Sequence, residues 1–159
     1  MFASSINRVR MAAEVAITAV IALSMSVFVG APASATIPGG LMNVATSLCL
    51  DGSISQGVRL VACNTDGYQD WSTEESGPYV VFRHDATGKC LDASISNGVR
   101  LNACNGSEYQ EWQWRTGSTA SAFLHVGTRT IDEAQCLDGS ISEGVRLKRC
   151  NNSEYQRWF

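Results

Sequence analysis

Residues 49–71, 90–112 and 136–158 are one 23-residue unit written three times. They read CLDGSISQGVRLVACNTDGYQDW, CLDASISNGVRLNACNGSEYQEW and CLDGSISEGVRLKRCNNSEYQRW, with 15 positions the same in all three and no gap inside any copy. The units start 41 and then 46 residues apart, so length varies only between them. A unit repeated three times at nearly fixed spacing predicts a structure with approximate three-fold symmetry.

Each unit reads as β. Cys-Leu-Asp begins a short strand, and Ser-Ile-Ser-x-Gly supplies turn chemistry, since small hydroxyls and glycine favour turns. Val-Arg-Leu then alternates apolar and polar with the period of a half-buried strand. Gln-x-Trp opens a further strand. The apolar stretches Gly40–Val44, Tyr79–Phe82 and Ala122–Val126 precede the units and supply one more strand each. That makes four short strands per unit, about twelve in all, in repeats spanning about 41–78, 79–121 and 122–159. No segment after residue 35 has helical periodicity with caps.

The six cysteines are spaced 14 apart within each unit. Six cysteines allow about 15 connectivities. The repeat favours the one in which each unit closes its own loop: Cys49–Cys63, Cys90–Cys104 and Cys136–Cys150. A loop of that size contributes on the order of 3 kcal/mol through the entropy of the unfolded chain. No close Cys-x-x-Cys spacing occurs and the chain has only two histidines, so neither a metal site nor a cofactor is expected.

The amino terminus has another character. Arg8 and Arg10 precede an apolar run from Val15 to Gly30, and Ala31-Pro-Ala-Ser-Ala35 ends in an A-x-A pattern. A basic patch, a short apolar run and small residues predict a secretory signal peptide over 1–35. The run is shorter than the ~20 residues a helix needs to cross a bilayer, so no stable membrane insertion is expected once it is removed. All six cysteines then lie in 36–159 and meet an oxidising, extracellular compartment. A net charge of −3 gives no pull toward nucleic acid. The mature chain is expected to be a secreted monomer.

Cys-Leu-Asp, Val-x-Leu-x-x-Cys-Asn and Gln-x-Trp, three times in register, resemble the ricin B-chain type β-trefoil lectins, a group that includes carbohydrate-binding modules attached to some microbial glycosidases. The resemblance covers nearly all of 36–159. It implies an all-β β-trefoil with pseudo-three-fold symmetry: a six-stranded barrel capped by three hairpins, with Trp71, Trp112 and Trp158 in its core. It also implies one shallow sugar site per unit. There a carboxylate accepts hydrogen bonds from two sugar hydroxyls, amides add donors and acceptors, and an aromatic ring stacks on the pyranose. The matching carboxylates are Asp51, Asp92 and Asp138. Gln69, Gln110 and Gln156 match the glutamine beside the ligand, read here as mainly structural with a sugar contact second, and Asn64, Asn105 and Asn151 match a turn asparagine.

The sequence departs from this pattern at three places. Where the family usually has its stacking aromatic stand Val61, Asn102 and Lys148. Where it often has an asparagine ligand stand Tyr68, Tyr109 and Tyr155, which can take over the stacking from another side. Arg59, Arg100 and Arg146 replace a common glutamine and suit a charged or polyhydroxylated ligand. The expected carbohydrate-binding set is therefore Asp51, Tyr68, Gln69, Asp92, Asn102, Tyr109, Gln110, Asp138, Tyr155 and Gln156, with the second unit offering the most polar groups. A competing reading pairs Asp51 with Arg59, Asp92 with Arg100 and Asp138 with Arg146, for about 0–1 kcal/mol each if exposed. His84 and His125 read as partly buried polar residues.

The expected function is a secreted, non-catalytic module that binds glycans or polysaccharide through up to three sites. The alternative is a trefoil scaffold with degenerate sugar sites that binds protein or inhibits it. Nothing in the chain supplies a nucleophile elbow, a metal ligand set or paired catalytic carboxylates. The third unit ends one residue past its tryptophan. The barrel must therefore close with a frayed strand or borrow Gly40–Val44.

Overall fold

The computed structural model describes residues 35–36, 40–129 and 134–159. Residues 1–34, within the segment expected to be a signal peptide, lie outside the described residues; Ala35–Thr36 forms a two-residue strand, β1, against the fourth strand.

Ten strands carry the repeats. They are β2 (Cys49–Ser53), β3 (Gly57–Val61), β4 (Trp71–Ser76), β5 (Tyr79–His84), β6 (Cys90–Ser94), β7 (Gly98–Asn102), β8 (Trp112–Thr116), β9 (Ser121–His125), β10 (Gln135–Ser140) and β11 (Gly144–Arg149). Of the twelve expected, the two at the chain ends are reduced to isolated bridges: Met42 to Cys49, and Trp158 to both Asn43 and Ser121. The open question of closure resolves here. The short final strand is held on one side by Ser121, exchanging two 2.8 Å hydrogen bonds with Trp158, and on the other by Met42, whose carbonyl accepts from Phe159 at 2.9 Å. Gly40–Val44 thus lies beside the short final strand, joined to it at Met42 and Asn43.

The three Cys-Leu-Asp hairpins, β2–β3, β6–β7 and β10–β11, share one register. Leucine faces leucine, aspartate faces arginine, and the closing glycine faces serine. Gly57, Gly98 and Gly144 sit at φ between 66° and 74°, the left-handed region that only glycine enters without strain, and that fixes the same turn in all three hairpins. β3, β7 and β11 lie against one another, which brings the hairpins together about the pseudo-three-fold axis.

The core follows the same symmetry. Trp71, Trp112 and Trp158 are fully buried, as are Leu50, Leu91 and Leu137. Each indole donates to the carbonyl of its unit's leucine, at 2.9, 3.2 and 3.1 Å, so no buried N–H is left unpaired. Leu41, Phe82 and Phe123 form a third layer, each 41 residues from the next, with Phe82 and Phe123 edge to face at 4.8 Å. The disulfides are Cys49–Cys63, Cys90–Cys104 and Cys136–Cys150, as the repeat predicts. The only helical pieces among the described residues are 3₁₀ turns at Glu108–Gln110, Val126–Thr128 and Glu154–Gln156.

Candidate functional site

Cross-strand register places each aspartate opposite an arginine, and the side chains close the pair. Arg59 Nε donates to Asp51 Oδ1 at 2.9 Å, Arg146 Nε to Asp138 Oδ1 at 3.0 Å, and Arg100 Nη2 lies 2.8 Å from Asp92 Oδ1. The pairs are lopsided. The aspartate side chains are 5, 3 and 1% exposed, whereas their arginines are 39, 38 and 23% exposed. Each unit therefore holds a buried carboxylate roofed by a guanidinium that still faces water. In the third unit Glu143 also pairs with Arg146. Burial opposes the charge of Arg146, but Glu143 and Asp138 overcome it and hold its pKa above the ordinary value. The hydrogen bond from Arg146 lowers the Glu143 pKa in turn.

The amides divide by unit. In the second, Asp92 Oδ2 accepts from Gln110 Nε2 at 3.2 Å and from Asn102 Nδ2 at 3.4 Å, so Asp92, Arg100, Asn102 and Gln110 form one cluster. Asp92 Oδ1 makes no hydrogen bond of good geometry despite its nearness to Arg100. In the first and third units the glutamines do not reach the aspartate. Gln69 and Gln156 are buried and clamp the turn after the second cysteine. Gln69 accepts from the Asn64 amide and donates to the Ala62 carbonyl, and Gln156 does the same with Asn151 and Arg149. Gln110 makes the same clamp with Asn105 and Ala103 and adds its bond to Asp92.

Tyr68, Tyr109 and Tyr155 are 49, 44 and 48% exposed, one open ring per unit at the equivalent place. The Tyr68 carbonyl accepts from the amide of Gly52, the residue after Asp51, which ties ring and carboxylate to one frame. Beside Tyr155 lies a hollow of about 170 Å³, walled by the Ser140-Ile141-Ser142 turn and by Ala45 and Thr46.

The two histidines are fully buried rather than partly buried, and they belong to this frame. His84 Nε2 meets the Tyr68 carbonyl at 2.9 Å and its Nδ1 meets Thr87 Oγ1 at 2.8 Å. His125 repeats this with Tyr109 and Thr128. Because a carbonyl only accepts, each Nε2 carries the proton. Their rings pack on Trp71 and Trp112 at 4.9 and 5.0 Å. In the third unit Asn43 takes the role, donating to the Tyr155 carbonyl at 2.8 Å and accepting from Thr46. Asn43, His84 and His125 are spaced by 41 residues, each followed by threonine three residues on. That period was in the sequence but lies outside the 23-residue unit. Burial lowers the His125 pKa, although Tyr109, Asp92 and Glu108 work the other way. No group of three His, Cys, Asp or Glu side chains among the described residues is placed to hold a metal ion.

The chemistry on offer is recognition: a fixed carboxylate, an outward guanidinium and an open aromatic ring, three times over. The family model for the ricin-type beta-trefoil lectin domain matches residues 38–158. No curated protein matches. Among solved structures, the designed three-fold symmetric protein ThreeFoil superposes with a TM-score of 0.65 at 18% identity, covering 74% of this chain and 93% of its own. The Macrolepiota procera ricin B-like lectin, in complex with lactose, gives 0.62 at 19%, covering 81% of this chain and 96% of its own. The hemolytic lectin CEL-III gives 0.62 at 25%, and there the chain covers 76% of itself but only 29% of the relative.

Proposed function

The chain belongs to the ricin-type β-trefoil lectin domain family, and from that premise we propose that it is a secreted, non-catalytic carbohydrate-binding module working through up to three shallow sites. The observation that carries the reading is the half-exposed tyrosine that stands at the same place in every unit, framed with a buried, arginine-paired carboxylate. A packed core does not require a carboxylate at the same place in every unit. Arginine takes one oxygen of Asp51 and of Asp138, and no described side chain bonds the other, which leaves an acceptor for a sugar hydroxyl. Tyrosine supplies the ring for the apolar sugar face. The sites comprise Asp51, Tyr68 and Gln69; Asp92, Asn102, Tyr109 and Gln110; and Asp138, Tyr155 and Gln156, with the glutamines shaping the wall. Secretion is supported by the 1–35 pattern and by three disulfides, which persist in oxidising compartments.

One such site is worth about −4 kcal/mol, a millimolar affinity. Three on a rigid body gain strength on a repeating glycan by effective concentration. Retention on galactose-, xylose- and mannose-containing polysaccharides tests the reading. The wild-type chain is expected to be retained on at least one, Asp92→Asn and Tyr109→Ala each to weaken retention, and Tyr68→Ala/Tyr109→Ala/Tyr155→Ala to abolish it. Passage of the wild type through all three matrices overturns it. The Asp–Arg pairing is what favours the second reading, a protein-binding trefoil, and retention unchanged in the triple tyrosine variant would point there.

A further inference from the structure

Beside the third disulfide lies a cleft of about 330 Å³ that the three-fold repeat does not require. Its walls come from the β8–β9 hairpin and from Cys136, Cys150, Asn152 and Gln156. Asp138, Arg146 and Tyr155 are not among them, and the third sugar site shares only Gln156 with this cleft. Two arginines face it. Arg115 comes from β8, and Arg157 stands between Gln156 and Trp158. Arg157 Nη2 donates to Thr119 Oγ1 at 2.6 Å. The Arg115 side chain has no hydrogen bond or ion pair with any described residue.

The pseudo-symmetry shows what is unusual here. The residue before the Gln-x-Trp tryptophan is Asp70, then Glu111, then Arg157. The residue three past the tryptophan is Glu74 in the first unit and Arg115 in the second. The junction of units one and two thus holds two glutamates, Glu111 accepting from Ser76 and Glu74 paired with Arg83. The junction of units two and three holds two arginines at the same two places. The hairpin above it is also longer: Gly117–Ala120 joins β8 to β9, where Gly77-Pro78 suffices between β4 and β5. Asn152, at φ 58°, adds a side chain to the wall where the second unit has Gly106 at φ 66°. Two like charges brought to one cleft repel each other unless an anion lies between them, and the arginine fork matches the oxygens of a carboxylate or sulfate.

We propose that this cleft is an anion subsite that takes the carboxylate or sulfate group of an acidic polysaccharide, with Arg115 and Arg157 reading the charge. For the polysaccharide it rests on the carbohydrate reading above; for the charge it rests on the cleft alone. The two sources of the anion are separated by titrating the whole chain with polygalacturonate and with dextran sulfate at physiological salt, with dextran and galactan as neutral polymers. The variant Arg115→Glu/Arg157→Glu carries the charges that the symmetry-related positions already bear, so the fold accommodates them. Lys89→Glu/Arg129→Glu makes the same change of net charge elsewhere.

Wild type is expected to bind at least one acidic polymer, the cleft variant to bind it about tenfold or more weakly, and the control variant to bind as wild type does. Neutral-polymer binding should not change in either. A response to polygalacturonate alone assigns a carboxylate ligand, and a response to dextran sulfate alone assigns a sulfate ester. No acidic binding by wild type, or an equal loss in the control variant, overturns the proposal. Acidic binding without any neutral binding overturns the neutral-sugar sites and leaves this one standing.

Discussion

Truncating Arg59 to alanine leaves the carboxylate of Asp51 with no side-chain donor among the described residues, because Gln69 is committed to Ala62. Truncating Arg100 leaves Asp92 with two, Gln110 and Asn102. The two arginines sit at the same register position and are equally exposed, at 39 and 38%, so lost packing and lost surface charge cancel in the comparison. What remains is the price of a nearly buried carboxylate without a partner. A buried polar group left unsatisfied costs about 1–3 kcal/mol, and more when charged, while an exposed pair is worth about 0–1 kcal/mol. Since water reaches the space the arginine vacates, Arg59→Ala should cost about 2–3 kcal/mol and Arg100→Ala about 1 kcal/mol. For a domain of this size the difference corresponds to about 3–6 °C in Tm. Urea unfolding followed by tryptophan fluorescence, with disulfides intact and m unchanged, measures it. Equal costs, or a larger one for Arg100→Ala, would show that the amide cluster does not protect Asp92 and that the reasoning is wrong. Arg146→Ala should behave like Arg59→Ala, because the glutamine of that unit also misses its aspartate.

Replacing Cys90 and Cys104 together by alanine should lower stability by about 3 kcal/mol, the entropy of a loop of that length, as read from thermal melts without reductant. Trp112→Ala should cost about 3–5 kcal/mol and strand the Leu91 carbonyl as well as a cavity, visible in the same melts. Stability should also fall on the acid side of neutrality. Burial holds the folded pKa of His125 below its ordinary 6.5, so as pH drops through 6.5 the unfolded chain takes up a proton that the folded chain refuses. The stabilisation is complete above 6.5 and is lost as pH falls from there toward the folded value. His125→Asn, which copies Asn43, should fold and should flatten that part of the pH profile of Tm; an unaltered profile would refute the assignment.

The repeat made most of the architecture legible. Identical spacing of the cysteines in each unit gives the disulfide pairing, and the resemblance to the β-trefoil lectins implies the buried tryptophans. The sites were less legible. The sequence paired each aspartate with its arginine as one of two readings and gave the glutamines a mainly structural role with a sugar contact second. In the structure all three Asp–Arg pairs form, only Gln110 reaches an aspartate, and the amides of Gln69 and Gln156 are held in a turn. The three units share one spacing, so side-chain placement and not spacing sets Gln110 apart. The role of His84, His125 and Asn43 escaped because a histidine and an asparagine do not look alike, although both offer one donor and one acceptor at the same height.

Local sequence settled what depends on neighbours along the chain: strand, turn, loop closure and the face each residue presents. Tertiary structure alone decided what depends on units meeting. It set how Gly40–Val44 meets the last strand through Met42 and Phe159, which rings stay open to solvent, and that Arg115 and Arg157, 42 positions apart, share one cleft. Pattern fixes direction within a unit, but distance between units is set by the packing of the shared core, and that exists only once all three have closed on it.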